Sequence, residues 1–223
     1  EIIHIFRTCQ AVCFDVDSTV IPEEGIDELA AFKGVGEVVA EMTKKAMDGQ
    51  VLFQDVLASR LNIIKPSKSD VETYLRQREE SASKHTLGDG SGAPRVTPGV
   101  AELIDKLHRK GKIVYLVSGG FRQMIEPIAD HLGVPVHRIY ANTLLFSPED
   151  GSYAGFDESE PTSRDGGKPA VVQQLIHAHG YGPVVMIGDG ATDMQARPPA
   201  DLFVGYGGVV QRQVVKEGAD LFV

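Results

Sequence analysis

Residues Ala11-Val12-Cys13-Phe14-Asp15-Val16-Asp17-Ser18-Thr19-Val20 open as an unbroken apolar run and then deliver two acids, one residue apart, followed by two hydroxyls. Continuous rather than alternating hydrophobicity is what a strand covered on both faces requires, and such strands belong to a parallel sheet with helices on each side. The acids fall where the strand runs out, which is where open α/β sheets take their ligands. One Asp there would mean little, because Asp also caps helices and closes turns. Two of them with Ser18 and Thr19 behind point to a site.

The same rhythm returns at Ile113 to Val117, Val184 to Ile187 and Leu202 to Val204, each run closing on a turn rich in Gly, Ser, Thr or Asp. Two amphipathic patterns bracket the second run. Thr97-Pro98 reads as an N-cap with proline at the first helical position, Val100, Leu103, Ile104 and Leu107 follow at helical spacing, and Gly111 is the stop. The next pattern holds Phe121, Met124, Ile125, Ile128 and Leu132, and Pro127 inside it predicts a kink or shortened first turns. The fold class is therefore α/β: a Rossmann-like parallel sheet flanked by helices, with right-handed crossovers.

Two segments interrupt this order. Residues 22–95 carry helical patterns at Ile26 to Phe32, Val35 to Met47, Phe53 to Leu61 and Asp70 to Arg78 and no strand pattern, which predicts a small helical cap inserted after the first strand. Residues 1–21 and 96–223 then form the core. Within the insert, Ser81 to Pro94 is rich in Gly and Ser with almost no apolar side chains and reads as a surface loop. Leu144 to Phe156, with Asp150-Gly151 between apolar and aromatic residues, reads as an inserted β-hairpin.

At 223 residues the chain is one domain, or one domain with a sizeable insert, at roughly 100–200 residues per domain. Hydrophobic residues at 42% and charged residues at 24% are ordinary for a globular protein and exclude collagen-like, coiled-coil and disordered classes. A net charge of −9 repels phosphate backbones and anionic lipid, so no nucleic acid and no membrane partner is expected. No apolar run approaches the ~18 residues that span a bilayer. Cys9 and Cys13, with no second Cys or His pair near them, make neither a zinc site nor a disulfide framework; they suggest reduced thiols in a reducing compartment. The chain starts without Met and stops inside an apolar run, which suggests trimmed ends; the expected location is cytoplasmic or, if a transit peptide has been removed, an organelle such as the plastid stroma.

Chemistry concentrates in the turns. Ser118-Gly119-Gly120 opens the helix after the second run, and a hydroxyl with small residues at a helix start cradles an anion, although the same tripeptide is also an ordinary strand-to-helix turn. Gly188-Asp189-Gly190-Ala191-Thr192-Asp193 follows the third run with acids four apart, a hard oxygen set without His or Cys that favours Mg²⁺ over zinc. Gly166-Gly167-Lys168 opens another helix; Lys168 alone would read as a solvated charge. Two carboxylates, a hydroxyl, a lysine and an acid pair, each in a turn of one α/β framework, are what phosphoryl transfer needs.

At this point the sequence resembles the haloacid dehalogenase-like phosphatases, whose DxDxT motif is matched by Asp15-Val16-Asp17-Ser18-Thr19. The stretches FDVDSTVIPEEGIDELA, VSGGFRQMIEPIA and IGDGATDMQARPPAD are similar to those of members that hydrolyse O-phospho-L-serine in the last step of L-serine biosynthesis, and the likeness covers nearly the whole chain. The resemblance implies that Asp15 is the nucleophile of an aspartyl-phosphate route and Asp17 the acid and then the base. It implies one Mg²⁺ held by Asp15, the main-chain carbonyl of Asp17 and Asp189, with Asp193 behind them. Ser118, Gly119, Gly120 and Lys168 would take the phosphoryl oxygens, Glu24 the substrate ammonium, and Arg60 its carboxylate. Met47 and Phe53 would line the pocket, with Thr192 and Arg212 near the substrate, and a homodimer is the family's assembly. Asp48 stands where members commonly carry glycine. Two other readings are a phosphatase of another small phosphomonoester and a receiver domain that stores phosphate on Asp; Asp17 and the long insert count against the receiver, which needs neither a general acid nor a lid.

Overall fold

A computed structural model describes residues 1–47, 52–85 and 94–223, with side chains described outside 43–47 and 82–85. Among the described residues eight strands run in chain order: β1 (Ala11–Phe14), β2 (Ile113–Phe121), β3 (Ile139–Asn142), β4 (Leu144–Phe146), β5 (Tyr153–Phe156), β6 (Val184–Gly188), β7 (Leu202–Gly205) and β8 (Leu221–Phe222). The helices are α1 (Ile2–Thr8), α2 (Gly25–Phe32), α3 (Gly36–Met47), α4 (Phe53–Ile64), α5 (Lys68–His85), α6 (Val100–Arg109), α7 (Arg122–His131), α8 (Gly167–His179), α9 (Ala191–Met194) and α10 (Gln213–Gly218).

Six strands form one parallel sheet in the order β3-β2-β1-β6-β7-β8. Its strands add outward on one side from β1 and on the other from β6, so the order reverses between these two neighbours and leaves a crevice at their carboxyl ends. All four residues of β1 are buried, as the unbroken apolar run requires. Alternate residues serve opposite faces: Val12 and Phe14 pack with α6 and α7 residues such as Ile104 and Ile125, while Ala11 and Cys13 pack with Val171, Val172 and Leu175 of α8. β4 and β5 pair antiparallel as a hairpin, with Asp150-Gly151 in the connection.

Helices α2 to α5 lie between β1 and α6 and have an apolar cluster of their own, built on Leu29, Val39, Leu57, Leu61, Ile64 and Val71. Phe121 and Met124 from the sheet side join it, so the helical layer is seated on the carboxyl end of β2.

Several expectations change. Helix α6 starts at Val100, not at Pro98, because Gly99 at φ 86° breaks the helical path before it; the Thr97 N–H donates to the Val20 carbonyl at 2.9 Å and fastens the returning chain beside the outgoing one. Phe121 ends β2 instead of opening the following helix, and Ser118-Gly119-Gly120 lies in the irregular end of the strand rather than in a first helical turn. Helix α7 passes through Pro127 without being shortened at its front; proline removes a single N–H, and the apolar stripe Met124, Ile125, Ile128 holds the helix to the sheet. Helix α5 continues to His85 past the expected loop start at Ser81, since no Gly or Pro interrupts before Gly88; residues 86–93 of that loop, and Asp48, lie outside the described residues. Strands β3 and β8 and helix α1 have no counterpart in the sequence reading. Among the described residues no helix is long and apolar enough to cross a membrane.

Candidate active site

The acids that follow β1 are held by a turn in which the Ile21 N–H donates to the Val16 carbonyl at 2.9 Å. Ser18 sits there at φ 54°, a left-handed conformation that costs a non-glycine residue about 1–2 kcal/mol. Its hydroxyl donates to Glu24 Oε1 at 2.8 Å, so the tight turn carries a contact forward into the start of α2. Pairing of β1 with β6 continues one residue further, where the Asp15 N–H donates to the Ile187 carbonyl at 2.9 Å. This fixes Asp15 near Asp189, the residue that follows β6.

Asp15, Asp189 and Asp193 are all buried and offer carboxylate oxygens that lie within 4.8 Å of one another. So many acids in so small a volume need cations. Lys168 Nζ supplies one, 2.9 Å from Asp15 Oδ1 and 2.5 Å from Asp193 Oδ1. Burial works against the lysine charge, but Asp15 and Asp193 outweigh it and hold its pKa above the ordinary value. The lysine reaches this position because α8 begins tightly against the preceding turn. A Cβ on Gly167 would stand 2.0 Å from the Pro161 carbonyl oxygen, so only glycine fits. Arg212, capping α10, supplies the second cation: its Nε donates to Asp189 Oδ2 at 3.1 Å, and its Nη2 stands 3.8 Å from Glu24 Oε1.

The remaining acids carry raised pKa values for a common reason. Burial, then the charges of Glu24 and Asp15, push the Asp17 carboxyl up to about 8, against a hydrogen bond from the Gly25 N–H at 2.8 Å. Burial and the nearby Asp15 likewise raise Asp189 and Asp193. Asp17 thus keeps its proton to higher pH than a free carboxyl does, beside an Asp15 whose Oδ1 accepts from Lys168 and from the Val16 N–H at 2.7 Å. The Asp17 carboxyl is prepared to give up a proton, while its neighbour is held by two donors.

The cluster suits a hard divalent cation. It is all oxygen, buried and over-supplied with negative charge, and neither Cys nor His belongs to it. Asp193 has both oxygens engaged, one by Lys168 and the other by the Gly190 N–H at 2.9 Å, which sets it behind Asp15 and Asp189 as a support.

These groups open on a cavity of about 720 Å³ whose wall includes Asp15, Asp17, Glu24, Phe53, Arg60, Gly119, Gly120, Lys168, Asp189, Thr192 and Arg212. Ser118 lies just behind that wall, 1% exposed, and its Oγ accepts from the Gly120 N–H at 3.0 Å. Phe53 closes over Gly119, where a Cβ would touch its ring at 3.0 Å. Arg60 pairs through Nη2 with Asp27 Oδ1 while its buried Nε has no partner. Met47 ends α3, and its side chain lies outside the described part. The sequence reading missed Thr162, Arg164 and Gln195 on the wall, and Asp27 behind Arg60; Thr162 and Arg164 stand in no motif, and Gln195 and Asp27, though inside quoted stretches, are marked only by their neighbours in space.

The sequence pattern of haloacid dehalogenase-like hydrolases matches residues 9–201. The chain is 51% identical to the chloroplastic phosphoserine phosphatase of Arabidopsis thaliana over all of its own length and 71% of that protein. It is 45% identical to the phosphoserine phosphatase of Bos taurus, spanning 92% of it. A solved structure described as a phospho-aspartyl intermediate analogue of phosphoserine phosphatase superposes with a TM-score of 0.76 at 27% identity, covering 97% of this chain and 93% of that one.

Proposed function

The chain belongs to the haloacid dehalogenase-like hydrolase family, and from that premise we propose that it hydrolyses O-phospho-L-serine to L-serine and phosphate through an aspartyl-phosphate. The observation that carries this reading is the meeting, on one cavity, of the paired Asp15 and Asp17 with Glu24 and Arg60, opposite charges suited to a zwitterion. The helical layer α2 to α5 acts as the cap that reads the amino acid, and the turns at the sheet's edge read phosphate.

Asp15 Oδ1 is taken by Lys168 and the Val16 N–H, which leaves Oδ2 as the attacking atom. It forms a bond to phosphorus as the bond from phosphorus to the serine oxygen breaks, and Asp17 delivers its proton to that oxygen. Asp17, now a carboxylate, takes a proton from the water that attacks the phosphoryl-aspartate, which returns both acids to their starting forms. Lys168, joined by the Ser118 hydroxyl and the Gly119 N–H, offsets charge on the phosphoryl oxygens, while the Gly120 N–H is engaged by Ser118 Oγ. Mg²⁺, held by Asp15, Asp189 and the Asp17 carbonyl, would neutralise phosphoryl charge when bound. Chelation should therefore abolish phosphate release and added Mg²⁺ restore it; retention of full activity in excess chelator would remove the metal from the reading.

Arg60 and Glu24 give the test of substrate class. Loss of one charge-assisted contact in a closed pocket lowers kcat/KM about 10- to 150-fold. Arg60→Ala should lose that much on phosphoserine, Arg60→Lys should recover only part because an ammonium lacks the planar fork, and activity on phosphoethanolamine should start low and change little. Equal losses on both substrates would make Arg60 a support for the cap.

The two thiols Cys9 and Cys13 are buried and unpaired, and the plant relative is chloroplastic; both support a reducing compartment, the plastid stroma in a plant. A second copy of the chain is the proposed assembly partner, readable as mass in solution.

A further inference from the structure

Pairing between β2 and β3 slips between Val117, opposite Tyr140, and Phe121, opposite Asn142. Three residues, Ser118, Gly119 and Gly120, thus face a single one, Ala141, and bulge out of the ladder toward the cavity. A peptide between two glycines turns over easily, because neither neighbour has a Cβ to hinder it. Nor can a larger residue stiffen it, since a Cβ on Gly120 would stand 2.6 Å from Asp17 Oδ2.

The Gly119–Gly120 peptide is nevertheless gripped at both ends. Its carbonyl, on Gly119, accepts from Asn142 Nδ2 at 2.8 Å, and its N–H, on Gly120, donates to Ser118 Oγ at 3.0 Å. A peptide is planar, so these two bonds fix one orientation. Asn142 is fully buried and cannot itself invert, because its Oδ1 accepts the Thr162 hydroxyl at 2.9 Å, and an inverted amide would set oxygen against the Gly119 carbonyl. Thr162 lies on the cavity wall, in the turn that leads to Lys168.

We infer that Asn142 is a positioning residue for phosphoryl binding: by clamping the Gly119–Gly120 peptide and joining it to Thr162, it holds the two phosphate-contacting turns in register. Ser118 Oγ accepts the Gly120 N–H on one lone pair, which orients the hydroxyl and leaves its hydrogen to donate to a phosphoryl oxygen. The inference rests on the phosphatase reading and adds a residue that touches neither substrate nor metal.

The test compares Asn142→Ala, Asn142→Asp and Thr162→Val with the wild type. Measured are kcat/KM on phosphoserine and on p-nitrophenyl phosphate, inhibition by inorganic phosphate, Mg²⁺ affinity by titration calorimetry, and melting temperature. Each Asn142 variant should lose about 10- to 100-fold in kcat/KM on both substrates. The phosphate inhibition constant should rise in step, and Mg²⁺ affinity should stay within about twofold of wild type, the cost of a contact the metal does not feel. Thr162→Val, which frees the amide without removing it, should show the same pattern at about 3- to 10-fold. Unchanged phosphate inhibition in a folded Asn142 variant would overturn the inference, as would a loss confined to phosphoserine, or losses in Mg²⁺ and phosphate binding that track the melting temperature. If neither Asn142 variant folds, unchanged phosphate inhibition in Thr162→Val overturns it. A wild-type protein inactive on every phosphomonoester would instead sink the phosphatase reading.

Discussion

Asp15→Asn yields a folded protein whose turnover falls by at least about 10⁴-fold, the scale on which removal of a covalent nucleophile acts. The amide is the same size and neutral, so the close packing at the carboxyl end of β1 is kept. Folding should tolerate the change because it relieves the crowding of Asp15, Asp189 and Asp193, while Lys168 retains Asp193 as a partner at 2.5 Å. The loss should appear in phosphate release and in trapping of phosphorylated protein after acid quench. A variant with full activity would end the covalent route, and one that is inactive only because it is unfolded would be exposed by its melting curve.

Asp17→Asn is expected to slow both half-reactions by about 10²- to 10⁴-fold, the range that general acid–base catalysis supplies. The two steps should separate with the leaving group. p-Nitrophenolate departs without much help from a proton, so single-turnover phosphorylation with p-nitrophenyl phosphate should be partly spared while hydrolysis of the intermediate stays slow. Since the protonated carboxyl is the working form in the first step, that step in the wild type should fall as pH rises through the Asp17 titration, and the variant should lack this limb. An equal loss of phosphorylation with both leaving groups would show that Asp17 is not the acid.

The four apolar runs marked the centre of the sheet, β1, β2, β6 and β7, because strands buried on both faces leave an unbroken signal. β3 and β8 escaped for a physical reason. They are flanking strands of four and two residues, with Tyr and Asn or one exposed Leu, too short and mixed for any period to register. The acids and Lys168 were legible because each stands close to the end of an element the pattern defines, in the turn that leaves a strand or in the first turn of a helix. Asn142 was not: it closes an unrecognised strand, and its partners are 23 and 20 residues away. Asp27 was hidden in the same way, since a first-turn acid on α2 is ordinary until Arg60 of α4 is seen against it.

The bond from the Gly25 N–H to Asp17 Oδ1 crosses the joint between the sheet and the helical layer, for Asp17 belongs to the turn after β1 and Gly25 is the first residue of α2. An N–H favours the ionised carboxyl, so a seated α2 and a deprotonated Asp17 stabilise one another, and the protonated acid loosens the seat. The relation is reciprocal as a matter of thermodynamics: whatever moves the helix changes the proton's affinity, and whatever moves the proton changes the helix's hold. The seating of α2 and the charge of Asp17 are thus linked through one hydrogen bond across the joint.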